Sequence, residues 1–262
     1  MRFTKMQGLG NDYLYVYGEV PQNVAEISKK LSDRHFGAGS DGMIYIFPSA
    51  IADFRMRIFN ADGSEAQMCG NGIRCVGKYV YDKGYTDKTD LKIETEAGIK
   101  KLTLYPENGK VRRVSVEMGK AAVEKDVSLP LCGGTVCTPV SVGNPHAVVF
   151  TDDAEKAPVD SLGPRIERDP FFPEGVNVEF VSVKSADRIR MRVWERGSGV
   201  TMACGTGACA SVSAAVKKGF CLPGIPVAVE LDGGVLEITV GTDGAVRMTG
   251  PAETVFEGEA EI

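Results

Sequence analysis

The chain has 262 residues, of which 43% are hydrophobic and 25% are charged, and its formal net charge is −5. This composition is typical of a globular protein, and the length suits two domains of about 130 residues each. Because Lys and Arg are scattered in an acidic chain, nucleic acid and anionic membrane surfaces are not expected as partners. We see no signal peptide and no run of about 18 apolar residues, and therefore expect no membrane association and a cytoplasmic location.

The cysteines and histidines limit which disulfides, metal sites and cofactors are expected. An odd total of seven cysteines without regular spacing predicts thiols rather than disulfides in a cytoplasmic chain. The histidines are His35 and His146, and no Cys-x-x-Cys pair occurs, so a conventional metal site has few ligand sets. No lysine motif for pyridoxal phosphate is evident. We therefore expect neither a metal nor a cofactor, and the reactivity of the thiols becomes the question.

The sequence repeats itself at an offset of 135 positions, which places the segment starting at Arg55 on the segment starting at Arg190 and Cys69 on Cys204. The same offset pairs Gly70 with Gly205, Gly72 with Gly207, Gly98 with Gly233 and Gly109 with Gly244. A repeat of this length indicates a duplicated domain rather than a solenoid. We predict an N-terminal domain at 1–117 and a C-terminal domain at 118–262, and allow for the last strand returning to the first domain.

The local pattern predicts the elements of each copy. Helices are predicted at 24–35 with Asn23 as cap, at 71–83, at 162–168 and at 206–218. Alternating apolar residues predict strands at 54–59, 91–96, 99–105, 111–117 and 189–194. The fold class is therefore α+β: two domains related by a pseudo-two-fold axis, each a mostly antiparallel sheet or barrel around a central helix.

Cys69 and Cys204 each stand immediately before a predicted helix, in the segments Met68-Cys69-Gly70-Asn71-Gly72 and Ala203-Cys204-Gly205-Thr206-Gly207. A helix N-terminus stabilises an anion by up to about 2 kcal/mol and thereby lowers the pKa of a thiol. We expect the two turns to face each other across a cleft, with a thiolate and a thiol on opposite sides of one carbon, as stereoinversion requires. The pair predicts a cofactor-free amino-acid racemase or epimerase. The remaining cysteines are interpreted as core or surface residues: Cys75, Cys132, Cys137, Cys209 and Cys221.

From end to end the sequence resembles the diaminopimelate epimerase family. The motifs that carry the resemblance are Gln7-Gly8-Leu9-Gly10-Asn11-Asp12, Phe59-Asn60-Ala61-Asp62-Gly63-Ser64, Met68-Cys69-Gly70-Asn71-Gly72-Ile73-Arg74-Cys75, Gly143-Asn144-Pro145-His146, Asn177-Val178-Glu179-Phe180 and Trp194-Glu195-Arg196-Gly197. The resemblance implies a pyridoxal-independent isomerase that interconverts L,L- and meso-diaminopimelate in lysine and peptidoglycan biosynthesis. It also implies a homodimer, the usual state of the family.

By this resemblance Cys69 and Cys204 are the two catalytic bases, and His146 and Glu195 modulate the pKa values of the thiols. The residues that resemble the family's substrate-binding set are Asn11, Asn60, Gly70, Asn71, Asn144, Asn177, Glu195, Arg196, Gly205 and Thr206. Arg196 suits a bidentate carboxylate clamp. Taken singly, Asn11 and Asn60 could be turn residues, Glu195 and Arg196 a solvated pair, and His146 a core histidine.

Two departures from the family pattern are visible. Gly42 stands where many members carry a substrate-contacting glutamine, and Val200 replaces a usual glutamate, so we expect altered affinity rather than lost activity. The nearest alternative is a proline or hydroxyproline racemase, although that family's first motif typically has histidine where Asn71 stands. A phenazine-pathway isomerase would lack the cysteine pair. An alternative of another class is a thiol redox or zinc-binding protein, in which Cys69 and Cys204 form a switchable disulfide or join a metal site.

Overall fold

The computed structural model describes all residues, Met1–Ile262, as two compact units. Met1–Val116 and Gly250–Ile262 form the first unit, and Glu117–Thr249 form the second. Sheet dominates each unit, and one long buried helix packs against it. The α+β prediction is confirmed.

The strands cover most of the chain. The first eight are β1 (Arg2–Gly8), β2 (Asn11–Tyr17), β3 (Gly42–Pro48), β4 (Phe54–Asn60), β5 (Glu65–Ala66), β6 (Asp90–Thr95), β7 (Gly98–Glu107) and β8 (Lys110–Lys120). The others are β9 (Ala122–Val123), β10 (Val127–Leu129), β11 (Thr135–Ser141), β12 (Pro145–Phe150), β13 (Asn177–Ser185), β14 (Arg188–Glu195), β15 (Gly199–Val200), β16 (Val227–Leu231), β17 (Gly234–Val240), β18 (Ala245–Pro251) and β19 (Glu253–Glu259).

The α-helices are α1 (Val24–Ser32), α2 (Gly70–Asp82), α3 (Val159–Glu167) and α4 (Gly205–Lys217). None of them is long and apolar enough to cross a lipid bilayer. The predicted helix at 24–35 was too long, because the Asp33 side chain accepts hydrogen bonds from the backbone N–H groups of His35 and Phe36 and closes a turn there. Asn23 occupies the N-cap position of α1 but makes no capping hydrogen bond through its side chain.

The two units have the same strand order. In the first unit β1 pairs with β2, β2 with β3 in parallel, β3 with β4, and β4 with β6 in parallel. In the second, β11, β12, β13, β14 and β16 follow the same pattern, parallel at the same two places. Helices α1 and α3 have nine residues each, and α2 and α4 have thirteen each. The duplicated sequence therefore forms a duplicated structure.

Strand register corrects the uniform offset of 135. The pairing of Leu14 with Met43 in the first unit corresponds to that of Ala147 with Val178 in the second, so the offset before α1 is 133. The hairpin that pairs Thr95 with Gly98 corresponds to the one that pairs Leu231 with Gly234, where the offset is 136. The structural counterpart of Gly98 is thus Gly234 rather than Gly233, because the segments outside the matched strands and helices differ in length.

Apolar faces of the sheet hold the helices in each unit. In the first unit, one core cluster packs α1 residues such as Ile27 and Leu31 against Leu14 and Phe59 of the sheet. In the second, Val159 and Ile166 of α3 pack against Val178 and neighbouring strand residues. The ten residues from Asn71 to Val80 of α2 are all buried, which fixes the start of this helix firmly within its unit.

Candidate active site

Cys69 and Cys204 are the N-cap residues of the two equivalent helices α2 and α4. Both have extended backbones, and each Sγ accepts a hydrogen bond from the N–H three residues later: Gly72 N at 3.3 Å and Gly207 N at 3.4 Å. The other N–H groups of a first helical turn have no partner within their helix and attract anions. Each turn therefore places a sulfur beside donors suited to a carboxylate.

Neutral polar groups surround Cys69. Its Sγ lies 3.3 Å from Asn11 Oδ1, and Asn11 Nδ2 donates to Asp41 Oδ2 at 2.7 Å. Tyr13 lies beside Cys69, and burial, followed by the charges of Cys69 and Asp41, raises the pKa of Tyr13 far above its usual value. A phenol that stays protonated remains a hydrogen-bond donor beside the sulfur.

A cluster of ion pairs supports this side of the first unit. Asp12 accepts from Lys5 at 2.8 Å and from Arg34 at 2.8 Å, and Arg34 also reaches Asp41 at 2.9 Å. Burial alone would raise the pKa of Asp12, but the bonds from Arg34 and Lys5 outweigh it and lower the pKa. The cluster ties β1, β2 and the segment after α1 together next to Asn11.

Carboxyl groups surround Cys204. The thiol is 5% exposed, and its pKa is raised well above its usual value, first by burial and then by the charges of Glu195 and Glu179. Hydrogen bonds from Thr206 and Gly207 act in the opposite direction. The two thiols therefore have different environments at equivalent positions in the fold.

A continuous series of side-chain contacts leads from a buried carboxyl to Cys204. Glu179 Oε1 lies 2.7 Å from His146 Nδ1, and His146 Nε2 lies 3.0 Å from Asn144 Oδ1. Asn144 Nδ2 donates to Thr206 Oγ1 at 3.3 Å, and this hydroxyl is 3.6 Å from Cys204 Sγ. We name these five residues the Cys204 hydrogen-bond chain.

Glu195 approaches Cys204 from β14. Burial raises the pKa of its carboxyl, whereas hydrogen bonds from Thr201 and Cys204 lower it. The Thr201 hydroxyl donates to Glu195 Oε1. A carboxyl with a raised pKa beside a thiol is typical of sites that transfer protons.

Comparison with known proteins identifies the family. The sequence profile described as diaminopimelate epimerase matches residues 3–124 and 138–255. The chain belongs to the diaminopimelate epimerase family. Among its relatives, the diaminopimelate epimerase of Methanococcus maripaludis strain C5 is 50% identical over 282 residues, with 100% of both chains covered. That of Acetivibrio thermocellus is 48% identical over 280 residues, covering 100% of this chain and 99% of the relative.

Solved structures of other families have a similar fold. A probable proline racemase from Agrobacterium radiobacter K84 superposes with a TM-score of 0.75 at 19% identity, covering 100% of this chain and 93% of that one. A phenazine biosynthesis protein from Bacillus anthracis superposes with a TM-score of 0.79 at 16% identity, covering 100% and 99%. At such identities the likeness concerns the fold alone.

The structure places the other residues predicted from the epimerase family as follows. Asn60 Nδ2 donates to Ser64 Oγ at 3.0 Å in the turn after β4. Asn177 bridges two segments, because its Nδ2 donates to Pro145 O and its Oδ1 accepts from Arg196 N. The Arg196 guanidinium is exposed and donates to Glu174 O at 2.9 Å. Gly70 and Asn71 open α2, and Gly205 and Thr206 open α4.

The two departures from the epimerase family have structural settings. A Cβ at Gly42 would lie 2.2 Å from the carbonyl oxygen of Phe59 and 2.9 Å from Asn60 Cα, so a side chain there would require the backbone to move. Val200 pairs with Trp194 across β15 and β14 and is 41% exposed. The residue after Val200, Thr201, donates a hydrogen bond to Glu195. A glutamate at position 200 is therefore not needed to hold Glu195 in place.

Two residues near the thiols, Glu179 and Tyr13, were not predicted from the sequence. Glu179 was quoted within a family motif but given no role, although a glutamate in the run Val178 to Val181 is an unusual choice for a buried strand. Tyr13 follows the quoted motif that ends at Asp12. Its contact with Cys69 joins residues far apart in the sequence, which spacing alone cannot predict.

Proposed function

We propose that the chain is a cofactor-independent epimerase that interconverts L,L- and meso-diaminopimelate. Membership of the family, combined with a capping thiol at the same position in both copies of the fold, is the observation that supports this function most directly. We propose Cys69 as the base of an N-terminal domain at 1–117, which the last strand rejoins, and Cys204 as the base of the C-terminal domain that makes up the rest of 118–262.

In the proposed reaction, one thiolate removes the α-proton and becomes a thiol, while the electron pair of the broken C–H bond delocalises into the carboxylate. The other thiol donates its proton to the opposite face of the same carbon and becomes a thiolate. Protons and electrons balance, and the reverse reaction starts from the exchanged protonation states. The mechanism requires the two sulfurs to act from opposite faces of the carbon.

The helix starts have a second role in this proposal. The backbone N–H groups of Gly70 and Asn71, and those of Gly205 and Thr206, would hold the reacting carboxylate where negative charge develops. Preorganised donors of this kind typically contribute about 3 kcal/mol each to lowering a barrier. Because a thiolate is a weak base for a carbon acid, such stabilisation is essential to the step.

Two residues beside Cys204 would adjust its ionisation. The charge of Glu195 raises the pKa of the Cys204 thiol, and His146 acts through Asn144 and Thr206. We further propose that Asn11, Asn60, Asn144, Asn177, Glu195 and Arg196 bind the amino and carboxylate groups of the substrate. The predictions of a homodimer and of a cytoplasmic location stay predictions, and light scattering after size exclusion tests the first.

The test is uptake of solvent deuterium at the α-carbon of L,L-diaminopimelate, measured under reducing conditions with free proline as the control substrate. Cys69→Ala and Cys204→Ala are compared with wild type and with Cys221→Ala, which removes a thiol that caps neither helix. We expect either capping variant to lose exchange by at least about a hundredfold, since one proton-transfer group is removed. Cys221→Ala should remain close to wild type.

Each other outcome points to a different function. Exchange of proline alone would support a proline racemase. Absence of exchange with both substrates would contradict the epimerase and return attention to a thiol redox or zinc-binding role, which activity with and without reductant, together with metal analysis, would examine.

A further inference from the structure

Glu179 is completely buried, and its environment is unusual for a carboxyl. Oε1 contacts His146 Nδ1 at 2.7 Å, whereas Oε2 has no hydrogen-bond partner. An ionised carboxylate with an unpartnered oxygen in the core is costly, and such a group normally carries or shares a proton, or pairs with a cation. The titratable group that is hydrogen-bonded to Glu179 is the imidazole of His146.

The neighbouring bonds determine where protons lie on His146. Asn144 donates through Nδ2 to Thr206, so its Oδ1 is the atom that meets His146 Nε2. An amide oxygen only accepts, and therefore Nε2 must carry hydrogen. Nδ1 meets Glu179 Oε1 at 2.7 Å, and one proton must lie between these two atoms, on either the nitrogen or the carboxyl. In both arrangements the pair of Glu179 and His146 is neutral overall.

The direction of hydrogen bonding continues from Asn144 through Thr206 to the sulfur of Cys204. Because Thr206 Oγ1 accepts a hydrogen bond from Asn144, its own hydrogen is directed elsewhere, and Cys204 Sγ lies 3.6 Å away. Thr206 thus donates toward Cys204, the direction that stabilises a thiolate. If His146 took the opposite tautomer, with hydrogen on Nδ1 alone, Asn144 would have to turn over and Thr206 would donate to it instead of to the sulfur.

The other copy of the fold provides a natural comparison. Tyr13 occupies the place of His146, and Ile44 occupies the place of Glu179, as the pairings of β2, β3 and β4 with their counterparts establish. A Cβ added at Gly72 would lie 2.7 Å from Ile44 Cδ1, just as a Cβ added at Gly207 would lie 2.7 Å from Glu179 Oε1. The fold therefore accepts an apolar residue here, and a carboxyl accompanies the histidine only in the Cys204 copy.

We propose that Glu179 is a positioning residue that fixes the Nε2–H form of His146 and thereby directs the Cys204 hydrogen-bond chain toward the sulfur. This inference rests on the proposed epimerase function but assigns a role to a residue outside the substrate-binding set. Glu179 acts through His146, Asn144 and Thr206 rather than on the substrate.

The first test observes the tautomer directly. The chain has two histidines, His35 and His146. In the His35→Asn variant labelled with ¹⁵N-histidine, His146 is therefore the single labelled ring. We expect Nε2 to be protonated from pH 6 to pH 9 in this otherwise wild-type protein. A bare Nε2 would overturn the proposal, and this result needs neither activity nor a core variant that folds.

The second test compares Glu179→Gln with Glu179→Ile in the same background. Gln can donate N–H to a bare Nδ1 and keep the Nε2–H form, so it should stay within about threefold of wild-type kcat. Ile leaves Nδ1 without a partner and should give a mixture of tautomers, with kcat lowered about ten- to a hundredfold and KM changed less, in the range typical of outer hydrogen-bonding partners.

Unchanged Nε2–H occupancy and unchanged kcat in a folded Glu179→Ile protein would refute the role, as would a Gln variant as impaired as the Ile variant. Failure of the epimerase proposal would look different: wild-type protein would not exchange the α-proton of diaminopimelate, while the tautomer in the labelled protein would still report on Glu179. The two proposals therefore fail by separate measurements.

Discussion

Gly207 leaves room for the carboxyl of Glu179: a Cβ on residue 207 would come within 2.7 Å of Glu179 Oε1 and 3.2 Å of its Cγ. At the equivalent Gly72, the same atom would meet only the terminal Cδ1 of Ile44 at that short distance, 2.7 Å. The second glycine of each Cys-Gly-x-Gly turn is thus required by a different neighbour, rigidly hydrogen-bonded in one copy and a flexible methyl in the other.

We therefore predict that Gly207→Ala is more damaging than Gly72→Ala. Overpacking against Glu179 should lower the free energy of unfolding by about 1–3 kcal/mol, partly offset by the higher helix propensity of alanine, and should displace the Cys204 hydrogen-bond chain. Thermal unfolding and kcat of the two variants measure this. Equal effects, or a larger loss in Gly72→Ala, would show that the contact with Glu179 does not decide the outcome.

Asp12→Asn should destabilise the protein in a pH-dependent way. Lys5 and Arg34 lower the pKa of Asp12, so its contribution to stability is present above the unfolded pKa of about 3.9 and is lost as pH falls through the lower folded value. Because the Arg34 side chain is 55% exposed, the ion pairs of Asp12 are only partly buried, and losing the charge of Asp12 should cost about 1–3 kcal/mol. Urea unfolding should show that difference at pH 7 and a shrinking one below about pH 4.

The control for that experiment is Asp152→Asn, which removes an equal charge from an exposed position. It should change the free energy of unfolding by less than about 0.5 kcal/mol at either pH. A difference between Asp12→Asn and wild type that does not vary with pH would instead indicate loss of packing.

Thr201→Val should shift the acid limb of the activity profile. The hydrogen bond from Thr201 lowers the pKa of Glu195 against the raising effect of burial, so its removal should raise that pKa further and move the acid limb of kcat to higher pH. A carboxyl with a raised pKa contributes stability below its unfolded pKa and loses it as pH rises through the folded value. The variant should therefore lose more stability at pH 7 than at pH 4.

Thr201→Ser keeps the hydroxyl and serves as the matched control for Thr201→Val. Its profile should overlay that of wild type. An acid limb that is identical in all three proteins would remove Glu195 from the groups that control the reaction at Cys204.

Thiol alkylation should distinguish the cysteines. Burial raises the pKa of Cys75 to about 11 and that of Cys137 to about 12, and the pKa of Cys204 is also raised, whereas Cys69 is partly exposed. Because the thiolate is the reactive form, iodoacetamide at pH 8 should modify Cys69 first. Peptide mapping by mass spectrometry after brief exposure checks the order. Early labelling of Cys75 or Cys137 would contradict it.

Local pattern predicted the elements that form from neighbouring residues. Alternation along β4 and β14 matched strands that bury one face, and the cysteine-glycine turns matched the starts of α2 and α4. The prediction of 162–168 began too late for α3, which starts at Val159 with Pro158 as its N-cap residue. Applying the offset of 135 to Val24, the first residue of α1, would have located that start.

The local sequence pattern could not predict contacts between residues that lie far apart in the chain. Glu179 and His146 lie 33 positions apart and meet because β12 and β13 run in parallel, a register that depends on the length of the connection through α3. The roles assigned to His146 and Glu195 came from resemblance, and the bonds that link them to Cys204 depend on side-chain directions that become fixed only when the strands pair.

The return of β19 to pair with β1 gives the chain an unusual order of assembly. Strand β1 lies between β2 and β19, and β19 follows the whole of the second unit in the sequence. On the ribosome, Glu117–Thr249 are complete before the first unit has received Gly250–Ile262. The unit begun first is thus completed after the second one, and until β19 emerges it exposes an open strand edge that a chaperone or a second nascent chain is able to occupy.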